Sequence, residues 1–158
     1  MDSVEKILCR NLLKMGMKLS TAESCTGGMI AARITSVSGA SGCFDCGVVT
    51  YSNEQKHRLL GVSLETLEKY GAVSKETALE MCRGVRELAG ADIGVSVTGI
   101  AGPTGGTLDK PVGTVWIGIC SKETCKAERF LFDGCREEVR EQTVIKALEL
   151  ANNCIINK

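Results

Sequence analysis

The sequence predicts an α/β fold: a three-layer αβα sandwich in which helices cover both faces of a mixed β-sheet. Three observations lead to this prediction. Short apolar strands alternate with amphipathic helices over residues 1–97, an order typical of a partly parallel sheet. Two further strands, 112–120 and 127–132, are joined by a polar turn and predict a hairpin. The length of 158 residues suits one domain, 1–158, with a substantial buried core.

The N-terminal elements follow from helical spacing and turn residues. Apolar side chains recur at helical spacing from residue 4 to residue 15, and Gly16 ends this helix. A short strand, 17–21, follows it. The chain then passes through a turn at Ser24 into a second helix, 29–37.

The central elements are one buried strand and three helices. The run 47–51 is apolar and β-branched, as in a buried strand. We expect Asn53 to cap a helix over 54–60, and a second short helix, 64–70, ends at a glycine. Ser74 caps a longer helix with a single apolar stripe, formed by Ala78, Met81, Cys82, Val85 and Leu88.

The C-terminal part combines strands with one long loop. Apolar and small residues alternate over 93–97, which predicts a strand, and an amphipathic pattern over 136–156 predicts a terminal helix. The loop 99–111 is rich in glycine and long for a small domain, and such loops are usually functional or disordered. Its glycines would let backbone N–H groups approach an anion. A flexible connection between strands is an equally open interpretation.

Composition excludes several classes of function. The net charge is zero and the acidic and basic residues are interspersed, so no basic patch indicates nucleic-acid binding. No apolar run reaches the roughly 18 residues of a transmembrane helix. The acidic, amphipathic N-terminus is unlike a secretory signal. We therefore expect a cytoplasmic protein that binds neither nucleic acid nor a membrane.

The cysteine pattern indicates buried thiols rather than a disulfide framework. Nine cysteines, an odd number, are scattered through the predicted helices and strands. Cys43 and Cys46 have the spacing of half a zinc site. Cys120 and Cys125 could complete that site only if the fold brought them close. We expect structural cysteines and no metal site, with metal binding as the minority alternative.

The segment 21–28, Thr-Ala-Glu-Ser-Cys-Thr-Gly-Gly, is the strongest candidate for a functional site. Ser24 stands between a strand and a helix, where backbone N–H groups are unpaired and the helix dipole is positive. That position suits a nucleophile whose reaction passes through an oxyanion. Ser, Thr and Gly also mark ordinary helix starts, so a capped helix on a turn is the structural alternative.

A second polar cluster directly follows the predicted strand 47–51. Tyr51 at the strand end and Lys56 in the first turn of the next helix could face the same cleft. The helix dipole favours the neutral form of a lysine there, and a neutral lysine can accept a proton from a serine hydroxyl. A solvated lysine is the commoner alternative. His57, the only histidine, has no evident role, so Lys56 is the best available base for Ser24.

Cys25 is a competing nucleophile, because the pKa of a thiol falls at a helix N-terminus. It has no histidine partner to activate it. Its side chain should also point away from that of Ser24 if the turn is extended there. These points favour the serine.

Five segments resemble the CinA C-terminal domain family, in matching order and spacing over nearly the whole chain. They are Thr-Ala-Glu-Ser-Cys-Thr-Gly-Gly at 21–28, Gly-Val-Val-Thr-Tyr-Ser-Asn-Glu-Gln-Lys at 47–56, Gly-Ala-Val-Ser at 71–74, Gly-Ile-Ala-Gly-Pro-Thr-Gly-Gly at 99–106 and Lys-Pro-Val-Gly-Thr-Val-Trp at 110–116. Stand-alone members of that family include nicotinamide mononucleotide deamidases, whereas longer members carry an additional N-terminal domain. The resemblance implies a single stand-alone amidohydrolase domain.

The resemblance also implies roles for individual residues. The family's catalytic serine, tyrosine and lysine match Ser24, Tyr51 and Lys56, and an arginine pair in its last helix matches Arg136 and Arg140. The arginines could hold a phosphate or pair with acidic neighbours. The expected substrate-binding residues are Thr26, Gly27, Gly28, Thr98, Gly99, Ala101, Gly102 and Arg140.

The implied reaction is hydrolysis of the carboxamide of nicotinamide mononucleotide to nicotinate mononucleotide and ammonia. Lys56 would deprotonate Ser24, backbone N–H groups near Thr26 and Gly27 would stabilise the oxyanion, and Tyr51 would orient Lys56 or share its proton. No metal or organic cofactor is expected, and the protein should form a homo-oligomer, a dimer or larger. The alternative is a non-catalytic nucleotide-binding or regulatory module.

Overall fold

The computed structural model describes residues 1–157, which form six α-helices and five β-strands. None of the helices in this range combines the length and the apolar character needed to cross a bilayer. In chain order the elements are α1 (Val4–Met15), β1 (Leu19–Glu23), α2 (Met29–Thr35), β2 (Phe44–Val49), α3 (Asn53–Leu60), α4 (Leu64–Tyr70), α5 (Lys75–Ala89), β3 (Ile93–Gly99), β4 (Thr114–Cys120), β5 (Cys125–Leu131) and α6 (Arg136–Ile156).

The five strands form one mixed sheet in the order β2-β1-β3-β4-β5. β1 pairs in parallel with both β2 and β3. β4 pairs antiparallel with both β3 and β5. The predicted hairpin of β4 and β5 and the mixed character of the sheet are therefore confirmed.

Helices cover both faces of the sheet. On one face, Leu8 of α1, Ile30 of α2 and Leu148 of α6 belong to the larger apolar core. On the other face, a smaller core contains Leu60 of α3 and Met81 of α5. Burying a side chain of this size contributes about 1.5–3 kcal/mol to stability. The three-layer αβα sandwich is thus confirmed.

The bounds of the first two strands differ from the prediction by a few residues. β1 lies over Leu19–Glu23 instead of 17–21, and β2 lies over Phe44–Val49 instead of 47–51. The two strands pair with each other in parallel over these residues, and this pairing sets where each strand begins and ends. Local composition does not show which residues of a distant strand are available for pairing. Because β2 ends at Val49, Tyr51 lies beyond the end of the strand.

The start of α3 also differs from the prediction. Asn53 was expected to cap this helix, and that expectation is wrong, because Asn53 is the first helical residue. Ser52 is the cap, and its Oγ accepts a hydrogen bond from the Gln55 N–H at 3.2 Å. Ser74 caps α5 as predicted, accepting from the Thr77 N–H at 3.2 Å.

The carboxyl ends of β1 and β3 lie side by side because the two strands run in the same direction. Glu23, the last residue of β1, is opposite Val97 of β3. From these ends the chain enters the turn before α2 and the glycine-rich loop. Ligands of open α/β sheets bind in the crevice outside such strand ends. The topology therefore brings both candidate segments to one place.

Candidate active site

Ser24 is the first residue after β1, and a tight turn joins it to α2. The Ser24 N–H donates to the Val97 carbonyl at 3.1 Å, and the Gly27 N–H donates to the Ser24 carbonyl at 3.1 Å. Gly27 and Gly28 have φ angles of 58° and 102°. Residues with a Cβ rarely adopt this region. The two glycines therefore let the chain turn sharply from the strand into the helix.

Glu23 holds this turn from inside the protein. Its side chain is buried, and its Oε1 accepts hydrogen bonds from the Thr26 hydroxyl at 2.6 Å and from the Ile30 N–H at 2.8 Å. Its Oε2 accepts from the Ala31 N–H at 3.1 Å. The carboxylate thus satisfies the free amides at the start of α2. Sequence reasoning missed Glu23, although an acidic residue at the end of an apolar strand is a usable signal for a buried, paired carboxylate.

One of the two expected oxyanion donors is already used within the turn. The Gly27 N–H is bonded to the Ser24 carbonyl, so the expected role of this amide is not available in this conformation. The Cys25 and Thr26 N–H groups make no hydrogen bond to another residue within 1–157. These two amides are the donors that the turn can offer to a developing oxyanion.

Lys56 is buried at 1% exposure, and its amine lies next to Ser24. Nζ is 3.1 Å from the Ser24 Oγ and donates to the Thr50 carbonyl at 2.9 Å. Burial lowers the pKa of Lys56, because desolvation disfavours the ammonium form, and the neighbouring Cys25 opposes this shift. A buried amine with a lowered pKa, in hydrogen-bonding distance of a serine hydroxyl, can act as its proton acceptor.

Cys25 faces the same cavity as Ser24 but is poorly suited to act as the nucleophile. Its side chain is 6% exposed. Burial raises the pKa of the thiol to about 12 and outweighs the lowering caused by its own backbone amide. This shift is opposite to the one considered for a thiol at a helix N-terminus. At neutral pH the thiol stays protonated, so Ser24 is the better candidate.

Tyr51 makes no hydrogen bond to the Lys56 amine. Its ring is 65% exposed, and its hydroxyl accepts a hydrogen bond from the Arg136 guanidinium at 3.2 Å. The two hydrogen-bond partners of the Lys56 amine are Ser24 and the Thr50 carbonyl. The orienting contact that was expected from Tyr51 is therefore made by the backbone of Thr50, the residue before it.

The two arginines of α6 hold backbone carbonyls rather than acidic side chains. Arg140 donates from Nε to the Cys25 carbonyl at 3.0 Å and from a terminal nitrogen to the Thr26 carbonyl at 3.2 Å. Arg136 donates to the Gly102 carbonyl at 2.9 Å. Arg140 thus positions the Ser24 turn, whereas Arg136 ties the glycine-rich loop to Tyr51.

A cavity of about 210 Å³ lies between these elements, and both Ser24 and Lys56 reach it. Of the residues expected to bind substrate, three line it, namely Thr98, Gly99 and Ala101. The other five, Thr26, Gly27, Gly28, Gly102 and Arg140, do not line it. Its full lining is Ser24, Cys25, Tyr51, Asn53, Lys56, Ala72, Val73, Thr98, Gly99, Ala101 and Arg136. A larger surface depression of about 540 Å³ beside α6 is lined mainly by acidic residues and contains neither candidate nucleophile nor base.

The glycine-rich loop is packed against the rest of the domain. The Thr98 hydroxyl donates to the Ala72 carbonyl at 2.7 Å, which holds the segment before α5 against the end of β3. Gly102 has a φ of 84°, and an added Cβ would collide with the side chain of Val112. Glycine is therefore required at Gly102 by the backbone conformation and by the lack of space for a Cβ. The loop is ordered and forms part of the cavity wall through Gly99 and Ala101.

The amino-acid sequence matches the family model of the CinA C-terminal domain over residues 1–155. The chain belongs to this family. Among curated CinA relatives, a putative competence-damage inducible protein of Thermoanaerobacter sp. (strain X514) is 48% identical over 155 residues, which are 98% of this chain and 38% of that protein. A CinA-like protein of Endomicrobium trichonymphae is 50% identical over 157 residues, 99% of this chain and 37% of that protein. The chain thus spans well under half the length of these relatives.

Solved structures of CinA proteins have the same fold. A CinA superfamily protein from Klebsiella pneumoniae superposes with a TM-score of 0.94 at 36% identity, covering 99% of this chain and 100% of that one. A competence/damage-inducible protein from Agrobacterium tumefaciens superposes with a TM-score of 0.88 at 42% identity, covering 97% of each chain. The domain found here is therefore the common CinA C-terminal architecture.

Proposed function

We propose that this CinA domain hydrolyses the carboxamide of nicotinamide mononucleotide, giving nicotinate mononucleotide and ammonia. The observation that carries the proposal is the buried amine of Lys56, 3.1 Å from the hydroxyl of Ser24 at the start of a helix. The choice of substrate comes from the family resemblance. The names of the relatives describe competence and damage induction and do not state this activity.

In the first half of the proposed reaction, neutral Lys56 takes the proton from the Ser24 hydroxyl as its Oγ attacks the carboxamide carbon. A C–O bond forms, and the electron pair of the C=O bond moves to the oxygen. The Cys25 and Thr26 N–H groups are the donors that the turn can offer to that oxyanion. Arg140 supports this step indirectly, because it holds the carbonyls of the same two residues.

In the second half, the C–N bond breaks and protonated Lys56 gives its proton to the departing nitrogen, which leaves as ammonia. Water then attacks the acyl-enzyme, with neutral Lys56 accepting its proton. Breakdown of this second intermediate returns the proton to Ser24 and releases the carboxylic acid, which ionises to the carboxylate and gives its proton to ammonia. The net change is one amide and one water converted to one carboxylate and one ammonium ion.

The size and polarity of the cavity support entry of the pyridine carboxamide end. Its volume of about 210 Å³ is below the roughly 300–1,000 Å³ typical of complete ligand pockets. The ribose phosphate would therefore extend towards the surface, where Tyr51 and Arg136 line the cavity. The Arg136 guanidinium is the cation in that lining best suited to a phosphate, because its planar donors match phosphate oxygens.

The test is ammonia release from nicotinamide mononucleotide by purified protein, with nicotinate mononucleotide measured by chromatography. We expect the same rate before and after treatment with a chelator, because Ser24 and Lys56 together supply the nucleophile and the base. Nicotinamide riboside should be a poorer substrate because it lacks the phosphate. Binding of the mononucleotide without ammonia release would instead support the nucleotide-binding module, and loss of activity on chelation would contradict the Ser–Lys mechanism.

Replacing Tyr51 with phenylalanine should raise KM for nicotinamide mononucleotide, while kcat stays within about three-fold of the wild type. The reason is that the Tyr51 hydroxyl accepts a hydrogen bond from Arg136 at the cavity rim and has no hydrogen bond to Lys56. Steady-state kinetics separates the two parameters. A fall of kcat by about 10²-fold with unchanged KM would place Tyr51 in the proton relay and contradict this interpretation.

The remaining parts of the proposal concern the cellular location and the oligomeric state of the protein. We propose a cytoplasmic location, which the composition leads us to expect, and assembly into a homo-oligomer, a dimer or larger, as the family resemblance implies. Light scattering of the purified protein would measure the oligomeric state. A strictly monomeric and active protein would contradict that part alone.

A further inference from the structure

Three cysteines that are distant in sequence meet between α5 and the hairpin. Cys82 comes from α5, Cys120 ends β4 and Cys125 begins β5. Their three sulfur atoms all lie within 4.8 Å of one another. The Sγ atoms of Cys82 and Cys125 are 3.7 Å apart, and Cys120 is directly opposite Cys125 in the antiparallel register. Cys82, Cys120 and Cys125 are called the thiol cluster below.

The packing of α5 on the sheet produces this convergence. At Gly118 of β4, an added Cβ would lie 2.7 Å from the Ala78 carbonyl oxygen and 3.0 Å from the Cys82 sulfur. Only a residue without a side chain lets the helix approach this closely. Cys82 and Cys120 are buried, at 0% and 4% exposure, whereas Cys125 is half-buried. The cluster is therefore preformed in the fold and opens towards the surface at Cys125.

The spacing of the sulfur atoms matches that of ligands to one metal ion. A metal–thiolate bond is about 2.3 Å long, so two sulfurs on the same ion lie at most about 4.6 Å apart. The separation of 3.7 Å between Cys82 and Cys125 fits within that limit. Small movements of the side chains would bring the third sulfur into range. The geometry suits a single ion bound by all three thiolates.

The number and type of the ligands indicate which metal ion the thiol cluster binds. Structural zinc sites are almost always four-coordinate, and within residues 1–157 no histidine, carboxylate or fourth cysteine joins the group. Thiolate ligands favour soft ions such as Cu(I). We propose that the thiol cluster is a three-thiolate binding site for Cu(I). Each thiol releases its proton when the ion binds.

The exposure of the three side chains gives an order of binding. Cys125 is half-buried, whereas Cys82 and Cys120 are buried. An arriving ion therefore meets Cys125 first, and the three thiols release their protons as the ion binds.

The thiol cluster lies at the opposite end of the sheet from Ser24. Cys120 is opposite Gly94 at the start of β3, whereas Ser24 bonds to Val97 near the end of that strand. The proposal therefore stands apart from the proposed amidase activity. Substitutions in the cluster should leave ammonia release unchanged.

The experiment is an anaerobic titration of the fully reduced protein with Cu(I) in competition with bicinchoninate. We expect one Cu(I) per chain, with three sulfur neighbours in X-ray absorption. Cys125→Ser should weaken the affinity at least about 10-fold, the lower end of what even outer-shell changes cost a metal site. Cys46→Ser is the matched control, because Cys46 is also partly exposed but lies on β2, away from the cluster.

Several outcomes would overturn the proposal. One is equal Cu(I) affinity in wild type and Cys125→Ser, and another is tighter binding of Zn²⁺ than of Cu(I) by the wild-type protein. A Cys82–Cys125 disulfide in protein purified with alkylation of free thiols would assign the pair to redox chemistry instead. Thermal unfolding of the metal-free variants shows whether Cys125→Ser still folds. If it does not, Cys120→Ser and Cys82→Ser take its place, and unchanged affinity in any folded cluster variant overturns the proposal.

Discussion

Ser24→Ala is expected to lower kcat for carboxamide hydrolysis by at least about 10³-fold, because the acyl-enzyme can no longer form. The substitution removes one hydroxyl whose side-chain partner is Lys56. The turn itself is held by the Glu23 carboxylate and by Arg140, so it should keep its shape. Binding of nicotinamide mononucleotide, measured by calorimetry, should change little.

The matched control for this prediction is the neighbouring residue. Cys25→Ser is expected to keep kcat within about ten-fold of the wild type, because burial raises the pKa of this thiol to about 12 and leaves it protonated. Trapping the acyl-enzyme and locating the modified peptide by mass spectrometry would identify the nucleophile directly. An adduct on Cys25, or an active Ser24→Ala protein, would contradict the serine mechanism.

Lys56→Arg is expected to lower kcat nearly as much as Lys56→Met, by at least about 10²-fold, the usual contribution of a positioned base. Arginine keeps a positive charge but cannot lose its proton near neutral pH. The comparison therefore separates two roles of Lys56. Near-normal activity of the arginine variant would mean that Lys56 acts through its charge, and the Ser–Lys pair would then have to be abandoned.

The pH dependence tests the same role independently. Lys56 must be neutral to accept a proton, so kcat/KM of the wild type should rise with pH through the pKa of Lys56 in the free enzyme. Burial lowers that pKa from the ordinary value of 10.5, which brings the rise closer to neutral pH. A profile that falls with pH over this range would be inconsistent with a lysine base.

Stability gives a further readout of the Lys56 pKa. Between the lowered pKa of the folded protein and 10.5, the unfolded chain binds more protons at Lys56 than the folded one does. The cost of burying Lys56 is fully present below the folded pKa and shrinks as pH rises towards 10.5. Relative to Lys56→Met, the wild type should therefore gain stability as pH rises towards 10.5, which thermal unfolding of the two proteins over this pH range would measure. A stability difference that does not change with pH would contradict a lowered pKa of Lys56.

Local signals in the sequence were sufficient to find most of the fold. The terminal helix was predicted over 136–156, and α6 has those bounds. The short helix 64–70 likewise matches α4, which ends at Gly71 as expected. Helical periodicity specifies α6, and a terminating glycine specifies the end of α4, and both signals depend on neighbours in sequence. Strand bounds depend on pairing with distant residues, and β1 and β2 were accordingly misplaced by a few positions.

Some features of the candidate site likewise follow from local sequence pattern, whereas others depend on contacts between distant residues. The positions of Ser24 at a strand end and of Lys56 in a first helical turn could be predicted from local pattern, because both follow from element boundaries. The contact of Lys56 with the Thr50 carbonyl, the pairing of Tyr51 with Arg136, and the convergence of the thiol cluster could not. Each joins side chains whose proximity is decided by how strands align and how closely helices approach the sheet. By itself the sequence determined which residues could do chemistry, whereas the tertiary structure decided which of them meet, since distances between remote residues arise only from packing.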